Sequence, residues 1–290
     1  MKAIIFGANG QDGFYLLELL QQAGVETIGV SRSGDFLRTD ITSFELVSAL
    51  VKDTQPDYIF HLAANSTTRH DVLFENHATI STGSFNILEA VKQFAPQCKV
   101  FISGSGLQFE NHNRAIKETD AFEARDPYSV SRIQSVYAAR YYRRLGIKTY
   151  VGYFFNHDSP RRSERHMAKK IAAFAARIGK GSTEKLEIGD SSVIKEWTYA
   201  NDVVKGVWTL VQQDQIFEAN IGSGKGYSIE DWLDVCFETI NQPWQPHVIL
   251  RNDFVAEYRQ LVSDSSLLFS LGWHPEVDFK SLAAMMVSAS

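Results

Sequence analysis

Short apolar stretches alternate with amphipathic stretches over the first half of the chain. Apolar runs rich in β-branched and aromatic residues predict buried strands, and apolar positions three and four residues apart predict helices. The predicted strands cover residues 2–7, 25–32, 57–64, 99–106 and 148–155, and the predicted helices cover 14–24, 41–56, 76–95 and 127–145. Strands that alternate with helices at this spacing predict an α/β fold, a doubly wound parallel sheet with helices on both faces.

The pattern changes after residue 155. A polar, charged segment is followed by an amphipathic helix near 166–178 and then by shorter elements that glycines and prolines separate. We therefore expect a sheet domain at 1–155, to which part of 190–218 returns. A smaller, interleaved and discontinuous lobe would occupy 156–290.

Composition and charge narrow the class of protein. An apolar fraction of 44% and a charged fraction of 22% are typical of a globular protein. The net charge of −5 favours neither a nucleic acid nor a membrane as partner, and no apolar run reaches the roughly 18 residues of a membrane span. Cys98 and Cys236 fit no metal-binding spacing. We expect free thiols, no metal ion and a cytoplasmic location.

Three glycines form the first motif that carries chemistry. Gly7, Gly10 and Gly13 stand between the first predicted strand and the first predicted helix. Glycine there permits a tight turn and lets the backbone approach a diphosphate, while the start of the helix offers free N–H groups. In this context the motif predicts a dinucleotide site; a merely structural turn is the alternative.

The end of the second predicted strand bears on which dinucleotide binds. An acidic residue there would hold the ribose hydroxyls, whereas Ser31 and Arg32 suit the 2′-phosphate of NADP. We expect NADP, with NAD as the alternative because Asp35 is close by in the sequence. The other interpretation is that Arg32 lies over the adenine or points into solvent. Asp40 is a candidate contact for the adenine amino group, and His61 is expected to be a structural histidine.

A serine, a tyrosine and an arginine form the candidate reacting group. Tyr128 precedes Arg132 by four residues at the start of a predicted helix, so the two side chains share one face. Tyrosine is a poor base at neutral pH, but a cation one turn away favours the phenolate. Ser105 ends a predicted strand, where ligands gather in such sheets, and its hydroxyl would polarise a carbonyl. The alternative is the first turn of an ordinary amphipathic helix.

Five segments resemble one family of enzymes. They are GANGQDG (7–13), HLAANS (61–66), FNHDSPRR (155–162), IKEWTYANDVVKG (194–206) and LGWHP (271–275). With these segments the chain resembles the extended short-chain dehydrogenase/reductases of the NAD-dependent epimerase/dehydratase type. Within them it is most similar to GDP-mannose 4,6-dehydratases and GDP-4-keto-6-deoxymannose reductases.

The resemblance implies a cofactor, a substrate class and an assembly. It makes 1–155 the dinucleotide-binding domain and 156–290 the lobe for a nucleotide sugar, expected to be GDP-linked. It also implies a homodimer formed by helices 76–95 and 127–145, whose expected outward side chains are Phe85, Val136, Tyr137 and Tyr141.

The resemblance also implies the site residues. The catalytic set would be Ser105, Tyr128 and Arg132. The cofactor would contact Gly7, Asn9, Gly10, Gln11, Asp12, Gly13, Ser31, Arg32, Asp40, Ile41, Leu62, Ala63, Ala64, Ser103, Tyr128, Arg132 and Phe155. The substrate would contact Ser66, Ser105, Asn156, Arg162, Lys170, Lys195 and Arg259. Solvated positions are the alternative for Arg161, Arg162 and Arg165, and Asp202 is expected to cap a helix.

The chain departs from the family pattern at two positions. Arg132 stands where the family has a lysine; arginine keeps the charge but cannot release a proton. Leu107 stands where the dehydratases have a glutamate that acts as acid and base in the loss of water. Leucine cannot move a proton, and Glu110 is the nearest substitute candidate.

These observations leave three hypotheses. The first is an NAD(P)-dependent oxidoreductase with hydride transfer at C4 of a GDP-linked hexose, as 4-keto reductase, dehydrogenase or epimerase. The second is a 4,6-dehydratase with an altered acid/base. The third is a dinucleotide-binding protein that does not catalyse a reaction.

Overall fold

The structure, a computed structural model of the chain, describes residues 1–251 and 254–290. Its strands are β1 (Lys2–Phe6), β2 (Glu26–Val30), β3 (Tyr58–His61), β4 (Lys99–Ser105), β5 (Thr149–Phe154), β6 (His157–Asp158), β7 (Leu186–Ile188), β8 (Ile194–Lys195), β9 (Thr198–Tyr199), β10 (Glu218–Ile221), β11 (Tyr227–Ser228), β12 (Val248–Leu250) and β13 (Gln260–Leu261). Its α-helices are α1 (Gln11–Gln22), α2 (Phe44–Thr54), α3 (Leu73–Asn76), α4 (Gly83–Phe94), α5 (Pro127–Arg144), α6 (Met167–Gly179), α7 (Ala200–Val211), α8 (Ile229–Glu238), α9 (Ser266–Ser270) and α10 (Phe279–Ser288).

The main sheet is parallel and has the strand order β10-β5-β4-β3-β1-β2. Helices α1 and α7 pack on one face, and α2, α4 and α5 pack on the other. The predicted doubly wound fold is therefore confirmed. The direction of strand addition reverses between β1 and β3, and in such sheets ligands bind at the carboxyl ends of the strands beside that reversal.

The predicted helix 76–95 is interrupted at its start. It comprises α3, a π-helical turn at His77–Thr82, and α4. The carbonyl of Ile80 within this turn accepts hydrogen bonds from the hydroxyls of Ser84 at 2.6 Å and Ser135 at 3.1 Å. His61 is fully buried, with its Nε2 3.4 Å from the same carbonyl. Burial, aided by the charge of Arg132, lowers the pKa of His61 to about 4, so this histidine is a neutral structural residue.

Helix α5 shows where the expectation for the outward face was wrong. Phe85, Tyr137 and Tyr141 are exposed, but Val136 is completely buried in the core. Val136 follows Arg132 by four residues and therefore shares the face of α5 that packs against the sheet. We accordingly remove Val136 from the outward set.

The second lobe is built on α6, α8 and α10, which pack around Trp197 and Trp232, stacked with their ring centroids 4.5 Å apart. The returning part of the chain places α7 on α1 and β10 beside β5. Asp202 does not cap a helix, contrary to expectation. It lies within the first turn of α7 and accepts hydrogen bonds from the backbone N–H groups of Glu276 and Val277, each at 2.9 Å. It thus fixes the segment that leads into α10.

Cys98 and Cys236 are buried free thiols. None of the helices within the described ranges is long and apolar enough to cross a membrane.

Candidate active site

The glycine turn after β1 has no room for side chains. Gly7 has a φ of +93°, and a Cβ on it would lie 2.7 Å from the backbone nitrogen of Ala63. A Cβ on Gly13 would lie 2.7 Å from the Cα of Ala8 and would collide with the carbonyl oxygen of Gly7. Helix α1 starts here without a side-chain N-cap. The bare backbone and the uncapped helix start form a cradle that fits a diphosphate.

The end of β2 is exposed and basic. Arg32 has its Nη2 3.0 Å from Glu75, and its side chain is 75% exposed. Arg38, which the sequence analysis did not select, donates to the carbonyl oxygens of Arg32 and Gly34. The signal for Arg38 was a second arginine only six residues from the first.

Polar side chains continue from the glycine turn along the same edge. Asn9 donates to the hydroxyl of Ser33 at 2.8 Å, and the hydroxyl of Ser31 accepts from the Ser33 amide at 3.3 Å. Asp40 instead accepts from the amide and hydroxyl of Thr42, at 2.9 and 2.8 Å. Ile41 is buried in the core.

A cavity of about 370 Å³ opens at the carboxyl ends of the central strands. It brings together ten of the predicted site residues, which are Asp12, Leu62, Ser66, Ser103, Ser105, Tyr128, Arg132, Phe155, Asn156 and Arg162. Further lining residues were not predicted, namely Thr67, Thr68, Leu107, Phe154, His157, His166, Glu257, Tyr258 and Leu261. Three predicted substrate contacts, Lys170, Lys195 and Arg259, do not line it.

The local sequence explains why α5 presents Tyr128 and Arg132 to the cavity. Asp126 caps the helix by accepting the backbone N–H groups of Tyr128 at 2.8 Å and Ser129 at 2.9 Å. Pro127 occupies the first helical position, where its missing N–H costs nothing. Tyr128 is therefore fixed in the first turn, and Arg132 follows one turn later on the same face.

Arg132 is a buried cation in contact with the tyrosine. Its guanidinium carbon lies 5.0 Å from the ring centroid of Tyr128, and the residue is only 4% exposed. One guanidinium nitrogen, Nη1, donates to the hydroxyl of Ser103 at 2.7 Å and to the Ser103 carbonyl. Its Nε has no hydrogen-bond partner among the described residues. A buried cation with a free donor fits a ligand oxygen, such as a ribose hydroxyl, beside Tyr128.

Ser105 ends β4 with its side chain held in place. Its hydroxyl accepts from the backbone N–H of Leu107 at 3.2 Å, while its own backbone N–H donates to Gln108 Oε1 at 2.9 Å. Leu107 lines the cavity next to it and carries no ionisable group. Glu110 does not line the cavity; its carboxylate lies 3.3 Å from His112 Nε2. The substitute acid that the sequence suggested is therefore not in the cavity.

His157 holds the glycine loop from the opposite side. Its Nε2 lies 2.9 Å from Asp12 Oδ1, and its Nδ1 lies 2.7 Å from the carbonyl oxygen of Phe155. Because both partners are acceptors, both ring nitrogens donate and the imidazole is protonated. Ser159 adds a parallel contact by donating to Gln11 Oε1 at 2.8 Å.

The pKa shifts agree with an ion pair. Burial alone would raise the pKa of Asp12, but the charge and hydrogen bond of His157 lower it to about 2. Burial alone would lower the pKa of His157, but Asp12 raises it above its ordinary value. Each group therefore favours the charged form of its partner.

The segment after His157 is charged, and its members differ in environment. Arg162 is half-buried, with its Nε 3.4 Å from the carboxylate of Asp158, whose pKa is raised by burial. Arg161 lies over the ring of Phe14 at 3.6 Å, whereas Arg165 is exposed. Burial, then the charge of Arg162, lowers the pKa of His166 to about 4, so His166 is neutral.

The predicted substrate residues fall into two groups. Asn156 lines the cavity, and its buried Oδ1 has no partner within the described part of the chain. Lys195 lies behind the cavity wall, with its Nζ 5.8 Å from the ring centroid of Tyr258. Arg259 is exposed, with its charge near Asp190, and Lys170 lies on α6. No cluster of three or more potential metal ligands occurs among the described residues.

Comparison with known proteins places this arrangement in a family. The family model described as GDP-mannose 4,6 dehydratase matches residues 4–286. GDP-mannose 4,6 dehydratase 2 of Arabidopsis thaliana is 29% identical, over 98% of this chain and 85% of its own. GDP-mannose 4,6-dehydratase of Yersinia enterocolitica is 30% identical, over 80% of this chain and 70% of its own.

Solved structures share the fold. The RMD protein of Pseudomonas aeruginosa, solved with NADPH, is similar with a TM-score of 0.88 and 20% identity, over 99% of this chain and 98% of its own. A UDP-glucose 4-epimerase of Thermotoga maritima, solved with UDP-glucose, gives a TM-score of 0.88 and 22% identity, over 100% of this chain and 98% of its own. The resemblance inferred from the five segments is thus confirmed: the chain belongs to the GDP-mannose 4,6-dehydratase family of NAD(P)-dependent enzymes that act on nucleotide sugars.

Proposed function

We propose that the protein transfers hydride at C4 of a GDP-linked hexose, with NADP(H) as its cofactor. The observation that carries this proposal is the shared cavity. Ser105, Tyr128 and Arg132 line it together with Asp12 of the glycine loop. A reacting sugar carbon beside Tyr128 would therefore also be beside the dinucleotide that the loop fits.

The side chains have distinct tasks in this reaction. The Tyr128 hydroxyl exchanges a proton with the C4 oxygen, and the Ser105 hydroxyl holds that oxygen by a hydrogen bond. Arg132 places its charge over the Tyr128 ring and offers its free Nε to the ligand, but it does not relay protons. A bound nicotinamide dinucleotide would supply the hydride donor or acceptor.

The preference for NADP rests on the end of β2. Arg38 donates to the backbone carbonyl of Arg32, and the hydroxyls of Ser31 and Ser33 belong to the same loop. Guanidinium groups and hydroxyls suit a 2′-phosphate. We expect tighter binding of NADPH than of NADH in a fluorescence titration; equal affinities would favour NAD, the alternative.

The preference for a GDP-linked sugar rests on the family match and on Asn156 and Arg162 in the cavity. Turnover with a GDP-sugar but not with the corresponding UDP-sugar supports it. The reverse preference would replace GDP by UDP in the proposal and leave the C4 chemistry unchanged.

Dehydration is the second candidate, favoured by the same family match but opposed by Leu107. It predicts loss of one water from GDP-mannose without net consumption of cofactor, which mass spectrometry measures. A protein that binds dinucleotide without turnover, unaffected by Tyr128→Phe, would support the third, non-catalytic hypothesis instead.

We also propose a cytoplasmic homodimer. Phe85 on α4 and Tyr137 and Tyr141 on α5 are more than 40% exposed, which suits an interface through these helices. The free thiols of Cys98 and Cys236 suit a reducing compartment. Sedimentation that shows only monomer would remove the dimer from the proposal.

The experiment that tests the function measures absorbance at 340 nm. The protein is mixed with NADPH and a GDP-4-keto-6-deoxyhexose, and separately with NADP⁺ and GDP-mannose. We expect a change in at least one mixture and a loss of about 100-fold or more in Tyr128→Phe. The absence of any change, with NAD(H) as well, would overturn the proposal of a net reduction or oxidation at C4.

A further inference from the structure

A second chamber of about 300 Å³ shares part of its lining with the first cavity. The second chamber is lined farther on by Gly106, Phe109, Asn111, Arg125 and Asp126. Four residues line both chambers, namely Leu107, Glu257, Tyr258 and Leu261. Glu257 therefore lines both chambers, as does the leucine that replaces the family's acid/base.

The carboxylates that line the two chambers differ in the hydrogen bonds and ion pairs that they make. Asp12 is paired with His157, and Asp126 caps α5 through the backbone of Tyr128 and Ser129. For Glu257, by contrast, the described part of the chain supplies neither a hydrogen bond nor an ion pair within 4.0 Å. Glu257 is exposed, so its carboxylate is not committed to another group of the described chain.

Two other ionisable groups, Lys195 and His166, must be compared with Glu257. Lys195 is close enough for Glu257 to oppose the lowering of the lysine pKa that burial causes, so one cation lies near the carboxylate. His166 lines the first chamber as a neutral histidine, but it does not line the second. Glu257 differs from His166 because it lines both chambers, as Leu107 does.

We propose that Glu257 is the acid/base of this active site for proton transfer at a carbon next to the C4 ketone. This inference rests on the proposed function, which supplies or accepts that ketone. The carboxylate takes a proton from the carbon, the electron pair of the C–H bond forms a C=C bond, and the carbonyl oxygen takes the charge as an enolate. The hydroxyls of Ser105 and Tyr128 stabilise that oxygen. Return of the proton to the same carbon regenerates the ketone, so no oxidant or reductant is consumed.

Hydrogen–deuterium exchange into the substrate tests the proposal. The protein is incubated in D₂O with a GDP-4-keto-6-deoxyhexose and oxidised cofactor, so that the ketone is not reduced. Mass spectrometry and proton NMR then follow deuterium entry at the carbons that flank C4, corrected for exchange without protein. We expect wild type to accelerate exchange and Glu257→Gln to lower the rate at least tenfold.

The matched control is Glu110→Gln, which removes a carboxylate three residues from Leu107 that lies outside both chambers. We expect exchange within twofold of wild type in this variant. Glu257→Asp, which keeps the acid, should recover part of the rate and so separates chemistry from misfolding. Circular dichroism checks that each variant folds.

Two results would overturn the inference: no acceleration by wild type, or an unchanged rate in Glu257→Gln. Hydride transfer by wild type, measured on the same preparation at 340 nm, distinguishes failure of this inference from failure of the proposed function. Hydride transfer without exchange would reject the role of Glu257 and keep the proposed function. Loss of exchange in His166→Asn but not in Glu257→Gln would assign the acid/base to the histidine.

Discussion

The ring nitrogen Nε2 of His157, just beyond β5, lies 2.9 Å from the carboxylate of Asp12 in the first turn of α1. These residues are 145 positions apart in the sequence. The pair joins the segment that forms the cavity wall to the loop that fits the dinucleotide. The glycine turn and this wall of the cavity are thereby held in one geometry.

This pair predicts a dependence of stability on pH. The lowered pKa of Asp12 contributes stability that is lost as pH falls from its ordinary value of 3.8 toward about 2. The raised pKa of His157 contributes stability that is complete below its ordinary value of 6.5 and is lost as pH rises through the folded value. We expect the pair to contribute most between about pH 4 and 6.5, as measured by urea unfolding across that range.

A double-mutant cycle isolates this contribution. Asp12→Asn and His157→Gln should each lower the free energy of unfolding by about 3 kcal/mol near pH 5.5, because each leaves one charge unpaired. The double variant should be less destabilised than the sum of the two. Strict additivity, or an unchanged pH profile in the single variants, would show that the two groups are not coupled.

Arg132 provides a second prediction. Arg132→Met removes the cation beside the Tyr128 ring and should lower kcat/KM by about 10- to 100-fold, because the reacting groups lose a nearby positive charge and a free hydrogen-bond donor. Arg132→Lys restores the charge and should recover most of that loss. Arg144→Met, in the exposed last turn of the same helix, is the control and should change kcat/KM less than twofold. Equal effects of Met and Lys would show that the charge is unimportant.

Leu107 provides a gain-of-function prediction. Leu107→Glu places a carboxylate beside Ser105 and should raise the loss of water from GDP-mannose, as measured by mass spectrometry. It should lower the free energy of unfolding by about 1–2 kcal/mol, because half-buried Leu107 packs against the core. Leu107→Gln matches the size without the acid. Equal dehydration by the two variants would contradict this account of position 107.

The glycine turn provides a stability prediction. Gly13→Ala brings a Cβ to 2.7 Å from the Cα of Ala8, and backbone atoms cannot move aside cheaply. The free energy of unfolding should fall by about 1–3 kcal/mol even without cofactor. Gly10→Ala, whose Cβ would lie 3.2 Å from the nearest atom, should cost less than 1 kcal/mol. A reversed order would contradict the described packing.

Local patterns were sufficient to predict the sheet and the start of the site. The central strands lie within a few residues of the predicted ranges because buried parallel strands are short, continuous apolar runs. Gly7, Tyr128 and Arg132 were identified because their chemistry depends on neighbours only a few residues away. Val136 was misassigned because residues on adjacent helical positions differ by about 100° in direction, which the apolar pattern of α5 leaves ambiguous.

The rest of the site depends on contacts between distant segments. Nothing in the local sequence of Asp12 specifies His157 as its partner. Glu257 stands in an irregular segment before β13, where no periodicity indicates which side chains face a cavity. Arg38 reaches Arg32 only because the chain turns back after β2. Tertiary packing determines these contacts.

The most direct test of the account follows a single hydrogen. NADPH deuterated at C4 of the nicotinamide is mixed with a GDP-4-keto-6-deoxyhexose, and the product sugar is analysed by mass spectrometry and NMR. We expect one deuterium at C4 of the sugar with wild type and about 100-fold less with Tyr128→Phe. Deuterium at another carbon, or equal transfer by the two proteins, would contradict it.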